Sequence, residues 1–171
     1  KKQLAYTIKN NLYLAHSLDS AEAITNHVDP NFVAGQSIHR NEFGIKNGIF
    51  WSNNGALVAF YEKDETDVHD YPLLNIDQTP GSLASVKYPM AGQSSEYGKV
   101  GVYNTMSKTL IYLKPMHEKD DYVTNLTWSP DDEFIYIAEL NRDQNHMKWA
   151  QYDVKTGKRI KTIFEEKNDK W

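Results

Sequence analysis

No cysteine occurs in the 171 residues, which excludes disulfides and thiolate metal sites within this span. No apolar run approaches the roughly 20 residues that a membrane-crossing helix needs. Lysine and arginine form no long basic run, and the formal net charge is −4, so nucleic acid is not an expected partner. His16, His27, His39, His69, His117 and His146 show neither H-x-H nor H-E-x-x-H spacing; no metal and no cofactor are expected. There is no G-x-S-x-G elbow, hence no α/β-hydrolase nucleophile in these residues. A leading Met and a signal peptide are also missing from the Lys1-Lys2-Gln3 start. Both ends read as cuts, and the expectation is a piece of a larger protein.

What is present favours β structure. Hydrophobic residues make up 40% and charged residues 25%, enough for a packed core, and 11 Tyr and 6 Phe lean toward strands. Leu4–Ile8 and Leu12–Ala15 read as strands around an Asn10-Asn11 turn, with a loop at Ser17–Ser20 and a third strand at Ala21–Thr25. Asn26–Gln36, with Asp29-Pro30 and Gly35, reads as loop. Ile49–Trp51 and Leu57–Tyr61 flank the turn Asn53-Asn54-Gly55. Pro72 marks Tyr71–Ile76 as an edge or bent strand, and Asp77–Ser85 reads as a surface loop. Lys99–Tyr103 and Thr109–Leu113 pair next, followed by a charged loop at Pro115–Asp121. Val123–Trp128, Phe134–Ala138, Lys148–Val154 and Arg159–Phe164 close the series.

The series repeats. Trp51-Ser52 with its turn and Leu-Val-Ala-Phe-Tyr matches Trp128-Ser129 with its turn and Phe-Ile-Tyr-Ile-Ala, 77 positions on. Four-stranded sheets joined by such turns are blades of a β-propeller. The fold class is therefore all-β, a partial propeller of about three blades. Residues 1–26 are the tail of one blade, 27–48 hold an insertion, and 49–114 and 122–165 are two further blades. A short helical or irregular segment is expected near 36–47. Blades do not bury their faces alone, so neighbours from the same chain or a second copy are needed.

Inside the insertion, His39-Arg40-Asn41-Glu42 sets a basic group, an amide and a carboxylate between Ile38, Phe43 and Ile45. Polar residues pinned by apolar ones on a sheet scaffold are how a functional loop is presented. Glu62, Asp64, Glu65, Asp67 and Asp70 read as a solvated acidic loop. Arg142-Asp143-Gln144-Asn145 reads as a structural connection, His39 as a packing or hydrogen-bonding residue, and Trp51 and Trp128 as blade core. Asn125-Leu126-Thr127 is a formal glycosylation sequon in a predicted core strand.

Ile38–Thr66 with its Arg-Asn-Glu-Phe-Gly core, Lys87–Gly92, Gly101–Asn104 and Ile135–Asn145 resemble one family over essentially the whole chain. It is the N-terminal propeller region of the dipeptidyl peptidase IV group of the prolyl oligopeptidase family, with prolyl tripeptidyl peptidases and Bacteroides-type enzymes nearest. The resemblance implies an eight-bladed propeller capping an α/β-hydrolase domain that carries the Ser-Asp-His triad and is absent here, so the fragment alone is expected to be inactive. It implies an exported, periplasmic or cell-surface serine exopeptidase acting on peptides with a free N-terminus and proline. It also implies that Glu42 binds the substrate α-ammonium, with Arg40 and Asn41 as further substrate-binding candidates. Consecutive glutamates stand at this place in dipeptidyl peptidase IV itself; a single Glu42 beside Asn41 leans toward tripeptide over dipeptide release. Two other expectations stay open: a non-catalytic propeller serving interaction or assembly, and a parent whose catalytic serine is lost. Exposed blade edges make a homodimer a further expectation.

Overall fold

A computed structural model describes residues 3–17, 19–114 and 119–170. Leu18 of the expected Ser17–Ser20 loop, and residues 115–118 of the charged loop with His117, lie outside them. Strands β1 (Leu4–Ile8), β2 (Asn11–Ser17) and β3 (Ser20–Ala23) form an antiparallel meander. The second sheet contains β4 (Phe32–Ala34), β5 (Ile49–Trp51), β6 (Leu57–Asp64), β9 (Tyr97–Asn104) and β10 (Thr109–Tyr112). Between β6 and β9, β7 (Asp70–Asn75) and β8 (Ser82–Lys87) pair only with each other as a hairpin. The third sheet is a four-stranded meander of β11 (Tyr122–Trp128), β12 (Phe134–Leu140), β13 (His146–Asp153) and β14 (Arg159–Lys167). The all-β partial propeller read from the repeat is thus present, with a short segment of mostly left-handed backbone at His39–Gly44 inside the expected insertion.

The middle sheet is packed on both faces, and this explains the uninterrupted apolar run of β6. Strand residues alternate sides. Val58 and Phe60 join Leu12 and Leu14 of the first sheet, and Ile24 just after it, in one core. Ala59 and Tyr61 join Val123, Ile135, Ile137 and Tyr152 of the third sheet in the other. Val58, Ala59 and Phe60 have no exposed surface and Tyr61 has 1%. A strand covered on one side alone alternates apolar with polar residues; one covered on both sides does not.

Polar links fix the angle between sheets. The Asp132 carboxylate accepts the Asn53 backbone N–H at 2.8 Å, the Asn53 side-chain amide at 2.8 Å and the Asn54 backbone N–H at 2.9 Å. Trp128 Nε1 donates to the Phe50 carbonyl at 3.2 Å. The two repeat turns therefore lie side by side, each with its serine hydroxyl accepting the N–H of the next strand: Leu57 to Ser52, Phe134 to Ser129. Trp51 and Trp128 are half-buried against the two cores. Glu62 and Glu139, also 77 positions apart, are both buried and both accept a tyrosine hydroxyl, from Tyr112 at 2.6 Å and from Tyr152. Arg159 closes the second pair at 3.0 Å. On the other side, Glu22 of β3 receives Lys108 at 2.5 Å and the Tyr103 hydroxyl at 2.9 Å.

Several expectations change. Phe32–Ala34, read as loop, is a strand because β6 runs past the end of β5 and leaves an edge to fill. The acidic run is not all solvated loop: β6 continues through Asp64, and Glu62 and Glu65 are 3% and 6% exposed. Each has partners, His27 at 2.7 Å and Tyr112 for Glu62, Lys63 at 2.9 Å for Glu65. Ser82–Ser85, read as loop, lies in β8, and β14 extends to Lys167.

Two outcomes follow for the full-length protein. Asp132→Ala leaves three donors of the Asn53-Asn54 turn without their acceptor and is expected to lower stability by about 2–3 kcal/mol in urea unfolding. The Lys108 ammonium, helped by the Tyr103 hydroxyl and His16, holds the Glu22 carboxyl down to about 2; the opposing effect of burial is second only to that of Lys108. A depressed carboxyl stabilises above its unfolded value near 4.5, and the gain is lost as pH falls toward 2. Acid unfolding of wild type between those values is expected to be steeper than that of Glu22→Gln.

Candidate functional site

The site grows from one interruption of an edge strand. β5 pairs with β6 from Val58 to Phe60, β4 pairs from Glu62 to Asp64, and Tyr61 between them holds both ends of the excursion. The Gly35 N–H donates to the Tyr61 carbonyl at 2.8 Å, and the Tyr61 N–H donates to the Gly48 carbonyl at 2.9 Å. The two ends touch: a Cβ on Gly48 would sit 2.2 Å from the Gln36 carbonyl oxygen, so only glycine closes the neck. Residues 36–47 form a pinched loop of the Ω kind. Ile38 and Ile45, 1% and 6% exposed, plant its two arms in the core between the second and third sheets.

Between those anchors the backbone is unusual. His39, Arg40, Asn41 and Phe43 have φ of 52°, 56°, 62° and 54°, while Glu42 is extended at φ −65°, ψ 169°. Left-handed conformations of residues other than glycine cost on the order of 1–3 kcal/mol each and persist only where the surroundings impose them. The imposing contacts are on hand. Asn41 N–H reaches the Ile38 carbonyl at 3.1 Å and Ile45 N–H the Glu42 carbonyl at 3.0 Å. The His39 backbone N–H donates to the Glu96 carboxylate. His39 Nε2 accepts the Val123 N–H at 3.0 Å, which places the ring hydrogen on Nδ1, 3.8 Å from Glu96 Oε1. The His39 and Phe43 rings both meet Tyr122 edge-on, at 5.1 and 5.0 Å. Gly98 leaves room for this: a Cβ there would lie 3.0 Å from His39 Nε2 and 2.9 Å from Val123. Tyr122 is braced by Arg142, whose Nη1 donates to its hydroxyl at 2.7 Å.

A charged layer lies beside the loop. Glu96 is 3% exposed, and burial pushes its carboxyl above the usual range against the pull of the Lys63 ammonium at 3.8 Å and the His39 N–H. Lys63 also pairs with Glu65, which lies 3.7 Å from an Arg40 guanidinium nitrogen. Arg40 further covers the Tyr88 ring at 5.4 Å.

The three residues singled out in the sequence therefore differ in situation. Glu42 and Asn41 are exposed on the loop, and the Glu42 carboxylate makes no hydrogen bond or ion pair within the described residues. Arg40 is engaged with Glu65 and Tyr88. An unpaired carboxylate between an amide and aromatic supports is suited to a cationic ligand. Among the described residues no group of three or more His, Cys, Asp or Glu is arranged to hold a metal ion. No helix among them is long and apolar enough to cross a membrane. Glu96, Tyr122, Lys63 and Glu65 were not legible as supports, because each lies 20 or more positions from Glu42 and carries no local signature. Gly98 alone hints at close approach, and only once β9 is placed.

Solved structures of similar fold are known. A Bacteroides ovatus protein described as a dipeptidyl aminopeptidase IV is 45% identical, matches 99% of this chain and 23% of its own, and superposes with a TM-score of 0.89. Porphyromonas gingivalis dipeptidyl peptidase 4 is 23% identical, with a TM-score of 0.87 over 99% of this chain and 25% of its own, a likeness of fold. Fungal proteins described as dipeptidyl-aminopeptidase B, from Pyrenophora tritici-repentis and Penicillium rubens, are 23% and 27% identical over 93% of this chain. The chain spans about a fifth of the length of those curated relatives. The model of the dipeptidyl peptidase IV N-terminal region matches residues 1–171. With the propeller sheets and the inserted loop already in place, this match is decisive: the chain belongs to the dipeptidyl peptidase IV N-terminal region family.

Proposed function

We propose that this chain is the substrate-gating propeller part of an exported, proline-specific serine exopeptidase, and that Glu42 binds the α-ammonium of the peptide substrate. The observation that carries the proposal is the Glu42 carboxylate, unpartnered among the described residues and raised on a loop whose strained backbone is fixed from below. Hydrolysis falls to a C-terminal α/β-hydrolase domain of the same chain, which the propeller caps and which brings the serine nucleophile. The distance from Glu42 to that serine then counts residues from the substrate N-terminus. Asn41, exposed beside Glu42, is the second polar group offered to the peptide end. The names of the matched relatives favour release of dipeptides over the tripeptides suggested by a single glutamate.

A second copy of the protein is the proposed partner of the β7–β8 hairpin. Both strands are exposed, Leu74 and Leu83 stand opposite each other at 65% and 74% exposure, and Ile76 is 79% exposed. Contiguous exposed apolar side chains of this kind mark association surfaces.

Full-length wild type and Glu42→Ala, assayed on Gly-Pro and Ala-Ala-Pro chromogenic amides, test the anchor. Losing one member of a desolvated charge pair costs roughly 2–5 kcal/mol, so kcat/KM of the mutant is expected to fall at least tenfold. Unchanged activity would remove Glu42 from the mechanism, and the ratio of the two substrates assigns the product length. For the hairpin, Leu74→Asp with Leu83→Asp is expected to halve the mass seen by light scattering; an unchanged mass rejects that surface.

A further inference from the structure

Arg40 occupies the middle of the left-handed run, with His39 and Asn41 on either side at φ 52° and 62°. Its guanidinium touches both ends of the excursion that carries the β7–β8 hairpin. At the outgoing end it lies 3.7 Å from Glu65, which is fixed by Lys63 at 2.9 Å and whose backbone N–H donates to the Asn31 carbonyl at 2.9 Å. At the returning end it covers the Tyr88 ring at 5.4 Å. Tyr88 is itself set by its N–H to the His69 carbonyl at 3.1 Å and by the Tyr71 ring at 5.9 Å. Two positions after Arg40 comes Glu42.

We propose that Arg40 is a positioning residue for Glu42, acting as a strut between the hairpin base and the loop, and that Tyr88 is the surface it braces against. The proposal rests on the amine-anchor role of Glu42 and replaces direct substrate contact by Arg40. The reason is conformational. Arg40 gains nothing intrinsically from positive φ, and Asn41 merely tolerates it. With its guanidinium held at Glu65 and Tyr88, Arg40 keeps its Cα where only the left-handed turn joins Ile38 to Glu42. Once released, residues 40 and 41 relax toward ordinary backbone, and the Glu42 side chain swings with them. A planar guanidinium that pairs with a carboxylate through its edge and with a ring through its face suits both contacts at once; an ammonium does not.

The test measures kcat and KM separately for the full-length protein on Gly-Pro-p-nitroanilide. Arg40→Ala, Tyr88→Ala and Tyr88→Phe are compared in the wild-type and Glu42→Gln backgrounds, with thermal unfolding as a check on folding. Arg40→Ala and Tyr88→Ala are expected to raise KM about three- to tenfold, the range of a partly desolvated cation–π contact, with kcat within about twofold. Tyr88→Phe, which keeps the ring, retains the wild-type KM. In the Glu42→Gln background the same two alanine changes leave KM within about twofold, because they act through Glu42. An equal KM rise in both backgrounds overturns the strut, as does a KM unaffected by Arg40→Ala while Glu42→Gln raises it. A KM insensitive to Glu42→Gln itself overturns the anchor, and the strut with it.

Discussion

The backbone of Tyr61 is the constraint on which the rest depends. Its carbonyl takes the Gly35 N–H where the loop leaves the edge, and its N–H gives to Gly48 where the loop returns. That residue can serve both ends because β6 is packed on both faces. Its side chains are locked alternately into the first and third sheets, and four consecutive residues, Val58 to Tyr61, have at most 1% exposure. The propeller core therefore works as a mount. Packing of three sheets fixes one strand, that strand fixes a narrow neck, and the neck limits where the loop points.

Above the neck, apolar and polar forces divide the work. Ile38 and Ile45 hold the arms by burial, while Tyr122 receives the rings of His39 and Phe43. The polar layer of Glu96, Lys63, Glu65 and Arg40 compensates the left-handed backbone at His39, Arg40 and Asn41, and it does so with charges that satisfy one another. Glu42 is left out of this exchange. A loop that invests several buried charges in its shape, yet leaves one carboxylate unpaired, has the form of a preorganised cation receptor. The proposed peptide ammonium would meet a carboxylate already in place.

Much of this was legible. Trp51-Ser52 and Trp128-Ser129 gave away the blades because a tight turn between apolar strands is written in adjacent residues. Ile38, Phe43 and Ile45 around Arg-Asn-Glu announced an inserted polar loop for the same reason. Phe32–Ala34 did not announce a strand, being three residues between Asp29-Pro30 and Gly35 whose pairing is decided by the overhang of β6. Glu62 and Glu65 looked like members of a solvated acidic run, since the groups that bury them, His27, Tyr112 and Lys63 among them, are mostly distant in sequence. The left-handed turn was invisible as well: Arg40 and Phe43 do not favour positive φ, and the contacts that impose it, from Glu96 and Val123 on His39 and from Glu65 and Tyr88 on Arg40, are distant in sequence.

The most direct measurement of the central claim is a crystal structure of the full-length protein with a slowly hydrolysed, free-amine Xaa-Pro peptide bound. The account predicts the α-ammonium nitrogen about 3 Å from the Glu42 carboxylate, with the loop backbone at 39–43 unchanged from the ligand-free form. An ammonium held by other residues, with Glu42 still facing water, would contradict it.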